Sequence, residues 1–472
     1  MPAAPGYAET MEPDRRERVI AALTADLPEG VLVTNRDSLD AYRWDRANDP
    51  DAGVPLAVVR ATSTEDVQAA MRIAAREGVA VIPRGAGSGL SGGSSAQDDA
   101  IVIALDRMRR ITIDPVVQMA TVQPGAFNVE VKAAASEHGL WYPPDPSSQE
   151  FCSIGGNVAT NAGGLCCVKY GVTTDYVLGL TVVLADGKAV KLGGPRLKDV
   201  AGLSLTKLFV GSEGTLGIIT EIVLRLVPAQ RTPTTLVAMF PTLSGAIQAV
   251  LDIKGAMRPS MLEFMDGVAI NAVEDMMRME LDRSAAAMLI VQSDEPEALA
   301  AEQIAAVEVI CEANGATECY ATSDPDESEA LIEARRQAIP AVEKRGALLL
   351  EDVGVPLPRL GDLVLGVAEI AARHRTEISI VAHAGDGNTH PLLVLDPSDP
   401  GQKERADIAY GEVMDLAIAL GGTITGEHGV GRLKQPWLGD YLGEDVLDLN
   451  LRIKKALDPQ NILNPGAVFG AI

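Results

Sequence analysis

Five histidines serve a chain of 472 residues, and three of them fall in two glycine-framed stretches. His383 and His390 bound "HAGDGNTH", and His428 follows Glu427 in "GEHG". The Gly-Asp-Gly-Asn centre of the first stretch is a turn signal. The flanking "ISIVAHA" and "THPLLVL" are therefore expected to run antiparallel and to bring His383 and His390 near each other. Two imidazoles at close range favour a divalent metal, and Glu427 and His428 add a third and a fourth group. Two histidines plus one carboxylate form a three-ligand set with an open position, which suits a catalytic metal better than a structural one. A lone histidine is more often an ordinary hydrogen-bonded residue, but three of five in two such motifs shift that balance.

Glycine is concentrated elsewhere. "PRGAGSGLSGGS", residues 83–94, has glycines at 85, 87, 89, 92 and 93 directly after the strand-like "VAVI". Without Cβ atoms, backbone amides there can crowd toward one point and make a concave anion site, for which a pyrophosphate is the natural occupant. The stretch fits neither GxxxxGK[ST] nor a GxGxxG opening a helix, so a P-loop NTPase and a Rossmann dehydrogenase are disfavoured. "PPDPSSQEFCSIGGNVATNAGG", residues 143–164, adds Asn157, Thr160 and Asn161 on a surface of small residues that a flat ring can approach. Together the two suit a dinucleotide with an aromatic head. The formal charge of −25 has no interrupting cluster of Lys and Arg, which excludes nucleic acid as a partner. An acidic protein that takes an anionic substrate must supply a few cations locally. Arg335, Arg336 and Lys434 are the candidates, each weighed against a place on a solvated face.

These groups need a scaffold, and with 47% hydrophobic residues the chain is expected to form at least two domains. Residues 1–50 read as a polar, helix-prone lead-in. Residues 51–229 open as βαβ in "PLAVVRATSTEDVQAAMRIAAREGVAVIPRG". Strands "AIVIALD" and "MATVQPG", helix "FNVEVKAAASEHG" and a hairpin in "YVLGLTVVLADGKAVKL" follow. From 230 to about 425 strands alternate with amphipathic helices, as in "TTLVAMF" before "LSGAIQAVLDIKGA", which predicts an α+β layer with helices on one face of an antiparallel sheet. Residues 426–472 end in the helix of "DVLDLNLRIKKALDPQNILNPG", stopped by Pro459 and placed to pack back on the first domain. No apolar run of eighteen residues occurs, and the N-terminus lacks an export signal, so a cytoplasmic location is expected. Cys152, Cys166, Cys167, Cys311 and Cys319 have no metal or redox spacing and read as reduced, buried thiols.

In order along the chain, "PRGAGSGLSGGS", "PPDP", "SIGGNVATNAGG", "KYGVTTDYVLGLTVVLADG" and "GSEGTLGIIT" resemble the FAD-binding domain of the vanillyl-alcohol oxidase superfamily. More narrowly they are similar to the branch holding D-lactate dehydrogenase, the catalytic subunit of glycolate oxidase and D-2-hydroxyglutarate dehydrogenase. "HAGDGNTHP", "GEHGVGRLK" and "ALDPQNILNPG" extend the resemblance over nearly everything from residue 50 onward. It implies an α+β fold, a two-part FAD-binding domain with an α+β substrate domain built on an antiparallel sheet. It implies that Arg84, Gly85, Ala86, Gly87, Ser88, Gly89, Leu90 and Ser91 hold the FAD pyrophosphate. It also implies that Pro144, Asp145, Ser153, Gly156, Asn157, Thr160, Gly163 and Gly164 line the cofactor, and that Glu213, Gly214 and Ile219 close over the adenine end. Some relatives attach the flavin through a histidine where this chain has Ser88, so the FAD is expected to be non-covalent. His383, His390 and Glu427 are implied as ligands of a divalent metal, zinc first, with manganese or iron as alternatives. His428 is implied as the base, and Arg335 as the clamp on a substrate carboxylate.

The implied activity is oxidation of a D-2-hydroxy acid to the 2-keto acid, with hydride passing to flavin N5. The electron acceptor is left open among a flavoprotein, a quinone, a cytochrome and an iron–sulfur protein, and a homodimer is the expected assembly. The chain departs from the 2-hydroxyglutarate pattern, because Ile339, Leu350 and Leu392 stand where polar residues would hold a second carboxylate. A carboxylate against those side chains would be unpaired. Glycolate, D-lactate or a longer apolar acid fits better. Two alternatives remain at this point: an FAD oxidase of an alcohol or sugar, which the paired metal motifs disfavour, and a non-catalytic FAD-binding electron-transfer subunit, which has no need of His428 and Arg335.

Overall fold

The computed structural model describes residues 11–396 and 398–470; residues 1–10 of the expected lead-in lie outside them. The βαβ opening forms as read. Ser63 caps the helix Thr64–Glu77 in a reciprocal capping box with Asp66, and Gly78 ends it in the left-handed region at φ 63°. The strands on either side, Ala57–Arg60 and Val81–Arg84, both pair in parallel with Ile101–Ala104. The glycine-rich stretch therefore leaves the sheet at the C-terminal end of Val81–Arg84. A second, five-stranded antiparallel sheet carries the expected hairpin, Val177–Val183 against Ala189–Gly193.

The C-terminal segment packs on this half. After the helix Glu444–Leu457, Val81 N donates to Ile462 O and Asn464 N donates to Val81 O, so the tail extends the edge of the first sheet. Lys454, buried at the end of that helix, donates to Thr215 O and Leu463 O at 2.9 and 2.8 Å. Among the described residues no helix is long and apolar enough to cross a membrane. The five cysteines are free, three of them buried.

The second half is an eight-stranded antiparallel sheet with Glu318–Thr322, Thr234–Phe240, Ala287–Ser293, Met261–Asp266, Glu377–His383, Asn388–Leu395 and Ala347–Leu350 in spatial order, and Val353–Gly354 also on Asn388–Leu395. Helices cover both of its faces rather than the expected one. One face, through Leu236, Phe264 and Ile380, packs on Leu243–Ala256, Glu297–Ala313, Leu360–His374 and Gln402–Ala419. The other, through Met239, Met265 and Val381, packs on Gly267–Met277, Pro325–Arg336 and Ala338–Glu343. The central strand Met261–Asp266 is buried at every position. It has no apolar–polar alternation to betray two covered faces.

Candidate active site

The site grows from the turn between Glu377–His383 and Asn388–Leu395. His383 O accepts from Asp386 N and Gly387 N, and Gly387 takes φ 84°, which its missing Cβ permits. Val381 pairs with His390 and His383 with Asn388, so the two histidines share one face of the sheet with ring centroids 5.2 Å apart. The segment Thr425–Gly431 crosses above them without regular structure. Asp352 Oδ2 holds it down, accepting from Thr425 Oγ1 at 2.6 Å and from the backbone N–H of Gly426, Glu427 and His428 at 3.0, 3.0 and 2.8 Å. Glu213 fixes its far end by accepting from Val430 N and Gly431 N at 2.7 and 2.8 Å. The result is convergence. Nε2 of His383, His390 and His428 lie 3.2, 3.3 and 3.7 Å from Glu427 Oε1.

Burial and charge set the protonation of this cluster. Burial opposes the charged form of His383, yet Glu263 and Glu427 hold its pKa well above the ordinary histidine range. Glu427, buried but facing His383 and His390, is held well below the usual carboxylate range. His428 is pushed down to about 4, first by burial and against the pull of Asp352, so its imidazole is neutral at pH 7. Burial likewise works against ionised Asp352, but His428, Lys434 and His390 keep its pKa below the usual range.

Arg335 ends the helix Pro325–Arg336 beneath this cluster. Its Nη2 lies 2.8 Å from Glu263 Oε2, with both side chains about 1% exposed, and Glu263 in turn lies 3.0 Å from His383 Nδ1. Arg335 Nε has no acceptor, and Nη2 has only its ion pair with Glu263. Arg336 lines the cavity and pairs with Glu329 at 2.6 Å. Lys434 is neither a surface cation nor a cavity group. It is buried and donates to Asp352 O and Ile424 O at 2.9 and 3.0 Å, tying the loop to the sheet.

A cavity of about 3170 Å³ separates the histidines from the glycine-rich wall. It is several times the roughly 300–1,000 Å³ of a drug-sized pocket. His390, Glu427 and His428 line it, while His383 and Arg335 lie behind them. From the first half, Gly85, Ala86, Gly87, Ser88, Gly89, Leu90, Ser91, Ser153, Gly156, Asn157, Thr160, Glu213, Gly214 and Ile219 line it.

Five residues expected to line the cofactor do not line the cavity. Arg84 turns back beneath the loop and donates to Ser94 O at 3.3 Å. Pro144 O accepts from Asn128 Nδ2, and Asp145 is buried accepting from Cys166 N at 3.1 Å. Gly163 and Gly164 serve close approach instead: a Cβ on Gly163 would meet Glu427 Oε2 at 2.7 Å, and one on Gly164 would meet the Asp145 backbone at 2.4 Å. Two lining residues are also otherwise engaged. Ser91 Oγ donates to His428 O at 3.1 Å, and both Glu213 oxygens are taken by the Val430–Gly431 backbone. The two motifs thus touch each other directly.

A family model described as "FAD linked oxidases, C-terminal domain" matches residues 229–468, and one described as "FAD binding domain" matches residues 55–193. The chain belongs to the FAD-linked oxidases. It is 40% identical to the glycolate oxidase subunit GlcD of Bacillus subtilis (strain 168) over 443 residues, 93% of this chain and 92% of that one. It is 35% identical to the D-lactate dehydrogenase of Archaeoglobus fulgidus over 440 residues, 91% of this chain and 95% of that one. The solved p-cresol methylhydroxylase with substrate bound superposes with a TM-score of 0.82 at 17% identity, covering 98% of both chains. That likeness identifies the fold as the vanillyl-alcohol oxidase type.

This FAD-linked oxidoreductase has a wall that fits its cofactor. A Cβ on Gly85 would meet Ser153 Oγ at 2.4 Å, and Ser153 Oγ accepts from both Ala86 N and Gly156 N, locking the two glycine-rich stretches side by side. The histidine cluster fits a metal on its own chemistry. Glu263 faces His383 Nδ1, which places a proton there and turns the Nε2 lone pair on Glu427 Oε1. Lone pair and carboxylate repel unless a second proton or a cation stands between them. Sequence reading missed Glu263 and Asp352, which precede Glu427 by well over a hundred and by 75 residues and carry no motif of their own. "ED" after the apolar run "ALLL" was the one available signal for Asp352.

Proposed function

We propose that this FAD-linked oxidoreductase oxidises a D-2-hydroxy acid, glycolate, D-lactate or a longer apolar one, to the 2-keto acid. The convergence of three Nε2 atoms on Glu427 Oε1 at the cavity wall facing the glycine-rich stretches carries this reading. His383, His390 and Glu427 would hold a divalent metal, zinc first. When bound, FAD supplies the hydride acceptor and the metal supplies a Lewis acid for the substrate oxygens. His428, neutral and lining the cavity, takes the proton of the C2 hydroxyl on Nε2. Arg335, behind the cavity wall with Nη2 held by Glu263, has Nε as its one buried donor left without a partner, and that is the nitrogen proposed for the substrate carboxylate. Ile339 and Leu350, with Leu348 and Leu349 beside them, give the cavity an apolar side, and Leu392 backs Leu350 across the strand pair. That side accepts a short or aliphatic C3 substituent and leaves a second carboxylate unpaired. The names of the relatives agree with a 2-hydroxy acid substrate. Electrons then leave to a partner, a flavoprotein, quinone, cytochrome or iron–sulfur protein.

Anaerobic mixing of the yellow enzyme with D- and L-2-hydroxy acids, read by flavin absorbance, tests this. Glycolate and D-acids bleach the flavin and L-acids do not. Equal bleaching by both enantiomers contradicts the assignment, and bleaching by none returns the chain to an electron-transfer subunit.

A further inference from the structure

The proposed chemistry uses His390 and His428 through Nε2 and leaves their other nitrogens without a task. His390 Nδ1 and His428 Nδ1 are buried with no hydrogen-bond partner, and so is Asp352 Oδ1. The three residues adjoin: His390 Nδ1 lies 3.7 Å from Asp352 Oδ1, and His428 Nδ1 lies 4.0 Å from Asp352 Oδ2. The two rings are stacked, with centroids 4.9 Å apart and planes 11° apart, so one carboxylate faces the Nδ1 edge of both.

We propose that Asp352 is a positioning residue that fixes both imidazoles as the Nδ1–H tautomer, so that both Nε2 lone pairs point at Glu427 and the cavity. An ionised carboxylate only accepts, so a nitrogen that bonds to it must carry hydrogen. Which nitrogen of an imidazole is free is set by the bond the other one makes. Asp352 cannot turn away from this duty. Its Oδ2 carries four donors of the loop Thr425–His428, and its carbonyl oxygen is held by Lys434 Nζ at 2.9 Å. Both separations exceed hydrogen-bond length, and Asp352 Oδ1, without a partner of its own, is the oxygen left to accept as the rings turn onto it. Glu263 does the same for His383, with both oxygens 3.0 Å from Nδ1. Every imidazole of the cluster is then backed by a carboxylate, and one carboxylate serves both a metal ligand and the base. What the free Nε2 atoms do rests on the proposed function; the tautomers do not.

The FAD-loaded enzyme grown with ¹⁵N-labelled histidine reports tautomers through long-range ¹⁵N–¹H correlations. Nδ1–H is expected for His390 and His428. Asp352→Asn presents an amide to the rings, and at least His428 is expected to reverse to Nε2–H. With it kcat falls on the order of 10³–10⁴-fold, as when an orienting carboxylate becomes an amide, while KM stays within about twofold. Nε2–H on either histidine of the unaltered enzyme overturns the proposal, as do unchanged tautomers in Asp352→Asn. If that variant fails to fold, the unaltered spectrum decides alone. Nδ1–H tautomers in an enzyme that no 2-hydroxy acid bleaches would leave the positioning intact and overturn the proposed function.

Discussion

The glycine-rich wall meets the cavity with backbone and small side chains, whereas the histidine wall meets it with buried titratable groups braced from behind by carboxylates. On the first side, shape is specified by what is missing, as at Gly85, where a single methyl would strike Ser153 Oγ at 2.4 Å. On the second, the wall keeps charges that burial alone would neutralise or expel, and each is retained by a fixed partner: Glu263 for Arg335 and His383, Asp352 for the loop that carries Glu427 and His428. Binding and chemistry are thus physically separable, although Ser91 and Glu213 bolt the two walls together.

The separation can be broken from either side. The largest expected effect is His428→Ala, which lowers kcat about 10⁴-fold while the FAD-to-protein and metal-to-protein ratios of the purified enzyme stay unchanged. A parallel loss of FAD would show that the walls are not independent. Glu427→Gln is expected to lower metal content and activity about 10–100-fold, again with FAD retained, read by elemental analysis beside flavin absorbance. Gly85→Ala is the converse. Overpacking against Ser153 costs about 1–3 kcal/mol, so FAD binding weakens about tenfold or more in a dialysis titration, and metal content does not change.

The smallest effect concerns the bolt itself. Burial raises Glu213 to about 7 from 4.5, so the folded protein binds more protons than the unfolded one between those values. This group therefore lowers stability as pH rises through that window. Glu213→Gln should flatten the fall in melting temperature between pH 5 and pH 8; an equal fall in both proteins would sink the assignment.

Motif and element were legible in the sequence where local chemistry decides them. "LSGAIQAVLDIKGA" forms the helix Leu243–Ala256, capped by Thr242, and the Gly-Asp-Gly-Asn turn brings His383 and His390 together. The second face of the large sheet was not legible, because Met261–Asp266 is buried on both sides and runs straight into the helix Gly267–Met277, with Asp266 as both strand end and cap. The same burial concealed Glu263, since a carboxylate inside "MLEFMD" reads no differently from one facing water. Lys434 was misread for the opposite reason: an isolated lysine in a glycine loop suggests a ligand contact, but its ammonium is consumed by main-chain carbonyls. Arg84 likewise belongs to a binding motif yet braces it from beneath.

The braced cluster is proposed to hold a metal that the 2-hydroxy acid needs. The most direct test is the rate of anaerobic flavin bleaching by D-lactate or glycolate before chelation, after chelation and after zinc is restored. Bleaching is expected to slow by at least tenfold when metal content falls and to recover with zinc, while FAD content stays constant throughout. Full-rate bleaching by protein that elemental analysis shows to be metal-free would contradict it.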